Sequence, residues 1–519
     1  MFIISWLFAI YTFLSNVIDS WNDTPVINTF ATKPLKNSDG SCAFYIVKSG
    51  DDCDSIATSH GISVADLVDF NNNNGHSYNW EGCDKLAIGQ GLCLSEGTPP
   101  KPECGPYAPG DWKTPPECPN KACCSKWGYC GLTSDFCEKS TGCFSNCGYG
   151  NIPSRKPSNF KRVAYWLDND NGLYYPVEKI ASYDLVHYSF ATINEDMTIS
   201  VGSNFRKFLD VNAKKIIAFG GWDFSTSSST YNLFRTAISS GREQFATNLV
   251  EFMDDYDLDG FHFDWEYPGQ IDIPGIPAGS NDDGENYNEL FKLLAKKAPK
   301  KLKSIALPAS YWHLKGYPLS DLEKNMDYFV LMNYDYVEQW DYGKPNMGLG
   351  CHNDRLITEE SIKMIQKSGI DTTKVYGGLA NYGRSFKLKD KKCKSYNCPF
   401  DGPSSPVPGG SITTTPGFLS IAELNDIKFS ETHFNSTSKC SHAVFGDNNE
   451  YWVAWMDELV IKDTEDWFKN EMNLGGSALW LENYKTENEE KYGNLECDMD
   501  MDDLTITCKY IPISNRRWF

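Results

Sequence analysis

The 519-residue sequence carries too little positive charge for a protein that grips polyanions: 48 Lys and Arg stand against 69 Asp and Glu, a formal net charge of -21. Phosphate backbones are held by Lys and Arg that release counterions, so this balance argues against nucleic acid as a ligand. Also missing is any apolar run long enough to span a bilayer, and no membrane span is expected. The first such run, Ile3 to Leu14, is too short and passes into small and polar residues. That pattern fits a secretory signal, expected over residues 1–20 with cleavage near 15 to 21, although no Lys or Arg precedes it. Paired C-x-x-C spacings are absent, which speaks against zinc. The acidic run Asp498 to Asp503 lacks the glycine at its sixth position and the closing glutamate at its twelfth that a calcium loop requires. No metal and no cofactor are therefore expected.

Cysteines and aromatic rings are abundant. There are 18 Cys, and 12 of them fall between Cys42 and Cys147, a density that reads as a disulfide framework formed in an oxidising compartment. Both the signal-like run and the cysteines predict a secreted, extracellular protein. The 15 Trp, 28 Tyr and 29 Phe, beside the negative charge, suit a neutral polymer bound by ring stacking. Two sequons, Asn22-Asp-Thr24 and Asn435-Ser-Thr437, are compatible with glycosylation.

Proline-rich and glycine-rich breaks divide the chain. Thr98-Pro-Pro-Lys-Pro102 separates a first module, residues 42–95, from a second and cysteine-dense one, 104–147. Gly148 to Asn159 is the next linker. A large domain over 159–490 follows, and then an acidic tail, 491–519, in which Cys497 and Cys508 are expected to bridge.

In the large domain short apolar runs alternate with longer amphipathic stretches. Eight candidate strands are legible: Arg162–Trp166, Leu185–Phe190, Lys215–Gly220, Gly260–Asp264, Ser304–Leu307, Tyr328–Met332, Val375–Leu379 and Gly476–Trp480. Arg242 to Asp254 and Asn286 to Lys297 show helical spacing between them. Eight strands in strand–helix alternation predict an α/β fold, a (β/α)8 TIM barrel with its site at the carboxyl ends of the strands. An inserted α+β lobe is expected between Lys387 and Glu450, with Tyr451–Trp455 as the returning strand.

The segment Asp259-Gly-Phe-His-Phe-Asp-Trp-Glu-Tyr-Pro268 concentrates the chemistry. Strand alternation puts His262, Asp264 and Glu266 on one face and Phe261, Phe263 and Trp265 on the other. Two carboxylates and an imidazole inside a barrel cost desolvation energy, so a purely structural role is implausible. Close carboxyls also raise one another's proton affinity, which keeps an acid protonated near neutral pH.

This segment resembles the D-G-x-D-x-D-x-E signature of family 18 glycoside hydrolases, the chitinases and their relatives. Phe219-Gly-Gly-Trp222, Met332-Asn-Tyr-Asp335, Tyr382-Gly-Arg-Ser-Phe386 and Gly475-Gly-Ser-Ala-Leu-Trp480 resemble, in order, motifs of the family's third, sixth, seventh and eighth strands. The resemblance implies a retaining, substrate-assisted hydrolysis in which the sugar's own acetamido oxygen is the nucleophile. Glu266 would be the general acid and then base, Asp264 would hold the acetamido N–H, and Tyr334 would donate to the acetamido oxygen. Trp480 would floor the pocket, with Tyr165, Trp222, His262, Tyr267, Met332, Asp335 and Arg384 as further substrate contacts. The family's middle aspartate is His262 here, and the family's Ser before Phe219 is Ala218. Three consequences stand open: tolerated drift with a reduced rate, a protonated His262 that pairs with Asp264 and lowers its pKa, or a barrel that binds without cleaving.

Tyr45 to Ala57, Leu67 to Asn71 and Leu86 to Gln90 together resemble a LysM domain, which implies two strands flanking two helices and binding of N-acetylglucosamine polymers through loops near Gly50–Ser55 and Asn71–Asn79. Cys118 to Cys137, with its adjacent Cys123-Cys124 and Ser-x-x-Gly-x-Cys-Gly, resembles a hevein-like, type 1 chitin-binding domain. The implied sugar contacts are Ser125 to an acetyl carbonyl and Trp127, Tyr129 and Phe136 as stacking rings. Chitin or its oligosaccharides is the expected partner. The three-module combination also resembles the chitinase-like subunit of fungal killer toxins, a reading that Arg516-Arg517 as a processing site and a disulfide-linked or processed toxin partner would fit.

Overall fold

All eight candidate barrel strands form, and they close on themselves. In the computed structural model they are β1 (Lys161–Leu167), β2 (Leu185–Ile193), β3 (Lys214–Gly220), β4 (Gly260–Asp264), β5 (Leu302–Pro308), β6 (Tyr328–Met332), β7 (Val375–Ala380) and β8 (Gly476–Trp480). Each pairs in parallel with its sequence neighbours, and β8 pairs with β1 to shut the barrel. The structure describes residues 34–485 except 37–39, 49, 74–79, 100, 111–112, 151–154, 169–175, 178–179, 181–182, 271–272, 274 and 343–346, together with the backbone of a strand pair at Leu495–Met499 and Ile506–Tyr510. The signal-like run, the Asn22 sequon and Arg516-Arg517 lie outside the described residues.

The two faces of each strand separate two kinds of packing. Outward-facing Phe219, Phe261 and Phe263 join Phe245, Phe291 and Tyr287 of the surrounding helices in the main core. Burying each such ring contributes about 1.5–3 kcal/mol relative to leaving it in water. Inside the barrel Val163, Tyr165, Leu185, Ile216, Tyr328 and Val330 fill the lower layers. The helices run over Arg242–Asp255 and Asp283–Lys297 where the spacing predicts them.

One boundary differs from the sequence expectation. Tyr382–Leu388 is not the end of the seventh barrel strand, which stops at Ala380, but the first strand of the inserted lobe. Asn381 makes the break: its N–H donates to Trp480 O of the barrel while its carbonyl accepts from Ile421 N of the lobe. The lobe therefore begins at Tyr382 rather than Lys387, and its antiparallel sheet runs through 400–401, 418–420, 431–435, 440–445 and the returning strand Tyr451–Trp455. Cys351–Cys440 and Cys393–Cys398 pin it.

The first module has the expected plan: antiparallel strands Phe44–Ile46 and Gly91–Cys93 flank helices Cys53–Ser59 and Val64–Asn73, closed by Cys42–Cys93 and Cys53–Cys83. Asp52 caps the first helix in a reciprocal box with Ser55. The second module is held by Cys104–Cys124, Cys118–Cys130, Cys123–Cys137 and Cys143–Cys147. Sulfurs of Cys104, Cys118 and Cys130 lie within 4.8 Å of one another, yet each belongs to a disulfide and offers no thiolate to a metal. Among the described residues no cysteine is free. In the tail, read from sequence as a solvated acidic run, the backbone forms an antiparallel pair with Cys497 opposite Cys508. The bridge itself concerns side chains outside the described set. Among the described residues no helix is long and apolar enough to cross a membrane.

Candidate active site

Register across the barrel fixes the site. Strand β4 lies between β3 and β5 with Ala218 and Ser304 level with His262, and Gly220 level with Asp264. The alternation expected from the sequence holds past the strand's end: Trp265 turns outward to stack on Phe234, 5.8 Å between centroids, while His262 and Asp264 turn inward. Glu266 follows at the rim, its N–H donating to Ser225 Oγ at 3.1 Å. Ser225 comes from the helix Trp222–Thr226 just after β3, and nothing in its local sequence marks it.

Asp264 is 7 % exposed, and its Oδ1 has no hydrogen-bond partner within the protein. Burial raises its pKa from the ordinary carboxylate range to about 7. Glu266 is raised too, first by burial and then by the charge of Asp264, against a lowering hydrogen bond from Tyr267. Two neighbouring acids, one buried and one half-buried, cannot both ionise readily, so one retains a proton that it can deliver. The ring of Tyr267 stacks on His313 at 4.2 Å, and His313 in turn bonds Gln270 Oε1 at 2.8 Å through Nδ1. Neither His313 nor Gln270 carries a sequence signal.

His262 does not pair with Asp264, which corrects one of the readings open at the sequence level. Its Nε2 is bonded to the Tyr165 hydroxyl and its Nδ1 to Ser304 Oγ, both at 2.9 Å. Burial pushes the imidazole down to about 3, so it is neutral and has no charge with which to lower Asp264. Ala218, where a serine was expected, adds no hydroxyl to this network. His187, another fully buried imidazole, lies 4.4 Å from the His262 ring and bonds the Tyr328 hydroxyl at 2.7 Å.

Other candidates gather around the acids. Trp480 meets Tyr165 edge-on at 5.2 Å and stacks with Phe190. Tyr334 fits because Gly378 of β7 has no side chain; a Cβ there would stand 2.8 Å from the Tyr334 ring. Asn333 braces the pair, accepting from Gly378 N at 2.6 Å and donating to Gly378 O at 2.8 Å. Met332 closes β6, half-buried. Asp335 stands at a positive φ of 62°, with Arg384 Nε at 2.9 Å from Oδ1 and Nη2 at 2.9 Å from Oδ2. Burial would raise this carboxyl, but the Arg384 guanidinium outweighs it and holds the pKa well below the usual range. Tyr382 also donates to Asp335, at 2.7 Å, and Glu338 takes Arg384 at 3.0 Å. Neither Tyr382 nor Glu338 was singled out as a member of this ion pair from sequence, although Glu338 follows Asp335 by only three residues. Trp222, the first residue of the helix after β3, is 38 % exposed.

The second module departs from expectation. Ser125, Tyr129 and Phe136 are buried, not presented on an open face, and only Trp127 of the four is half-exposed. Ser125 Oγ is occupied by the backbone N–H groups of Trp127 and Tyr129. The two buried rings, Tyr129 and Phe136, form one cluster against which Phe44 and Ile46 of the first module pack.

Comparison with known proteins follows the same lines. The family described as "Chitin recognition protein" matches residues 103–147, and "LysM domain" matches 45–95. "Killer toxin subunits alpha/beta" of Kluyveromyces lactis is 43 % identical over 501 residues, 91 % of this chain and 42 % of its own. "Secreted chitinase LysM12" of Penicillium expansum is 34 % identical over 89 % of this chain and 34 % of its own. The chain thus spans about two fifths or less of the length of these relatives. The solved catalytic domain 2 of Ostrinia furnacalis Group II chitinase is similar in fold, with a TM-score of 0.53 and 24 % identity over 63 % of this chain and 90 % of that one. The model "Glycosyl hydrolases family 18" matches residues 161–483, the whole barrel with its lobe, and the chain therefore belongs to that family.

Proposed function

We propose that this protein is a secreted chitinase that hydrolyses β-1,4 linkages between N-acetylglucosamine units by a retaining, substrate-assisted route. The observation that carries the reading is the pair at the barrel mouth, Asp264 buried and Glu266 half-buried beside it, both with raised pKa values. Glu266 delivers its proton to the glycosidic oxygen and afterwards takes one from water. The acetamido oxygen closes on the anomeric carbon, so the substrate supplies the nucleophile. Asp264, with Oδ1 free of protein partners, accepts the acetamido N–H and stabilises the positive ring that forms. Tyr334 donates to the acetamido oxygen, while Trp480 lies under the sugar. Asp335 and Arg384 fix the edge of the site, and Tyr165, Trp222, Tyr267 and Met332 complete its walls. No cofactor enters this scheme.

Eight disulfides among the described residues support an extracellular location. Two chitin-recognising modules joined to the barrel support a polymeric substrate, since tethering raises the effective concentration of the site at a surface. Release of short oligosaccharides from chitin by the parent and not by Glu266→Gln tests the enzymatic reading. Equal binding with no release by either protein would point to a lectin-like role. A second biological role, docking of a killer toxin on cell-wall chitin, is favoured by the likeness to the Kluyveromyces lactis toxin subunits.

A further inference from the structure

The first strand of the LysM module is apolar on both faces. Ala43, Tyr45 and Val47 point into the module's own core with Ile56, Ala57, Leu67 and Leu92. Phe44 and Ile46 point the other way, where an isolated module would leave them in water. They pack instead on Tyr129, Phe136 and the Cys123–Cys137 bridge of the hevein-like module. The rings of Phe44 and Tyr129 are 5.1 Å apart. At the edge of the contact Trp127 Nε1 donates to Ile88 O at 2.8 Å, and Gly89 passes so close that a Cβ would stand 3.0 Å from the indole. Gly91 leaves room for Phe44 to lie flat on its own sheet.

The other side of the hevein-like module is fixed to the barrel. Asn120 Nδ2 donates to Leu314 O at 2.9 Å while its Oδ1 accepts from Leu319 N at 3.3 Å, which clamps the loop after β5. Lys315 pairs with Glu103 at 2.9 Å, and Lys367 donates to the carbonyls of Asn146 and Gly148 at 2.6 and 2.5 Å. The module is held on two sides at once.

We propose that the aromatic face of the hevein-like module is an intramolecular interface occupied by the side chains of Phe44 and Ile46 and the backbone of Ile88–Gly89, so that the module serves as a bracket between LysM and barrel and its sugar platform is latent. A tethered apolar partner is present at high effective concentration, and a sugar that stacks on exposed rings must displace it. Chitin is then gripped in the parent protein by LysM and barrel, not by Trp127, Tyr129 and Phe136. This inference rests on the chitin-directed reading above, but its first test does not.

Hydrogen exchange of the full chain compares residues 127–137 in the parent and in Phe44→Lys, with Ile46→Lys as a second variant whose side chain also lies outside the LysM core. Slow exchange in the parent and faster exchange in both variants is expected; equal rates would overturn the interface whatever the protein binds. Binding of chitotetraose is then measured for the same proteins. Trp127→Ala alone is expected to leave affinity within about twofold. Phe44→Lys is expected to raise it about tenfold, and Trp127→Ala added to Phe44→Lys to abolish that gain. A tenfold loss in Trp127→Ala alone, or opening without any gain, would overturn the latent platform. Absence of binding by every variant, with the exchange pattern intact, would instead refute the chitin-directed reading while leaving the bracket standing.

Discussion

Tyr165 and His262 share a hydrogen bond of 2.9 Å across the barrel, and that bond determines what His262 can do. With Ser304 on the other ring nitrogen, the imidazole is fully engaged and neutral above a pKa of about 3. It occupies the place of a carboxylate without supplying one, and Asp264 is left with Glu266 as its acidic neighbour.

His262→Asp restores that carboxylate. Two acids in such proximity raise one another's proton affinity, so the acidic limb of the pH–rate profile moves upward by about one unit in this variant. His262→Asn, neutral like the parent imidazole, leaves the limb in place. Profiles of kcat/KM against pH for the three proteins decide the matter; superimposable curves for the parent and His262→Asp would refute it.

Asp264 carries a stability cost with a defined pH window. Its folded pKa near 7 lies above its ordinary value of 3.8, so between these limits the folded state binds more protons than the unfolded chain. Stability therefore falls as pH rises through that window. Asp264→Asn removes the charge and should melt about 2–4 °C higher than the parent at pH 8, equivalent to ~2 kcal/mol for a barrel of this size, with the difference vanishing near pH 4. Calorimetry at the two pH values tests the sign.

Arg384 neutralises both Asp335 and Glu338, the latter 2 % exposed. Arg384→Met leaves these carboxylates without their cation and should destabilise the barrel by about 3–5 kcal/mol. The fall in the urea midpoint measures it. A loss under 1 kcal/mol would mean that water replaces the guanidinium.

Gly378 is a packing requirement of Tyr334. A methyl group in Gly378→Ala would lie 2.7 Å from Leu331 O as well as against the tyrosine ring. Overpacking of this kind costs about 1–3 kcal/mol. Displacement of Tyr334 should lower kcat about 100-fold, with KM changing far less. Kinetics beside a melting curve separate the two effects, and an unchanged kcat would remove Tyr334 from the chemistry.

The sequence by itself determined the eight barrel strands, the inward turn of His262 and Asp264, and the plan of the LysM module, because strand alternation and turn residues are local properties read within a few positions. Tertiary structure decided the rest. The neutrality of His262 depends on Tyr165 and Ser304, 97 and 42 residues away, and on a burial that no local pattern reveals. Tyr382 reads as barrel strand from its motif, but Asn381 hands the chain to the lobe through bonds to Trp480 and Ile421. Trp127, Tyr129 and Phe136 read as an open platform because their spacing describes one module. Phe44 and Ile46 cover that platform because a strand with two apolar faces must bury both, and only the folded chain shows what the second face meets.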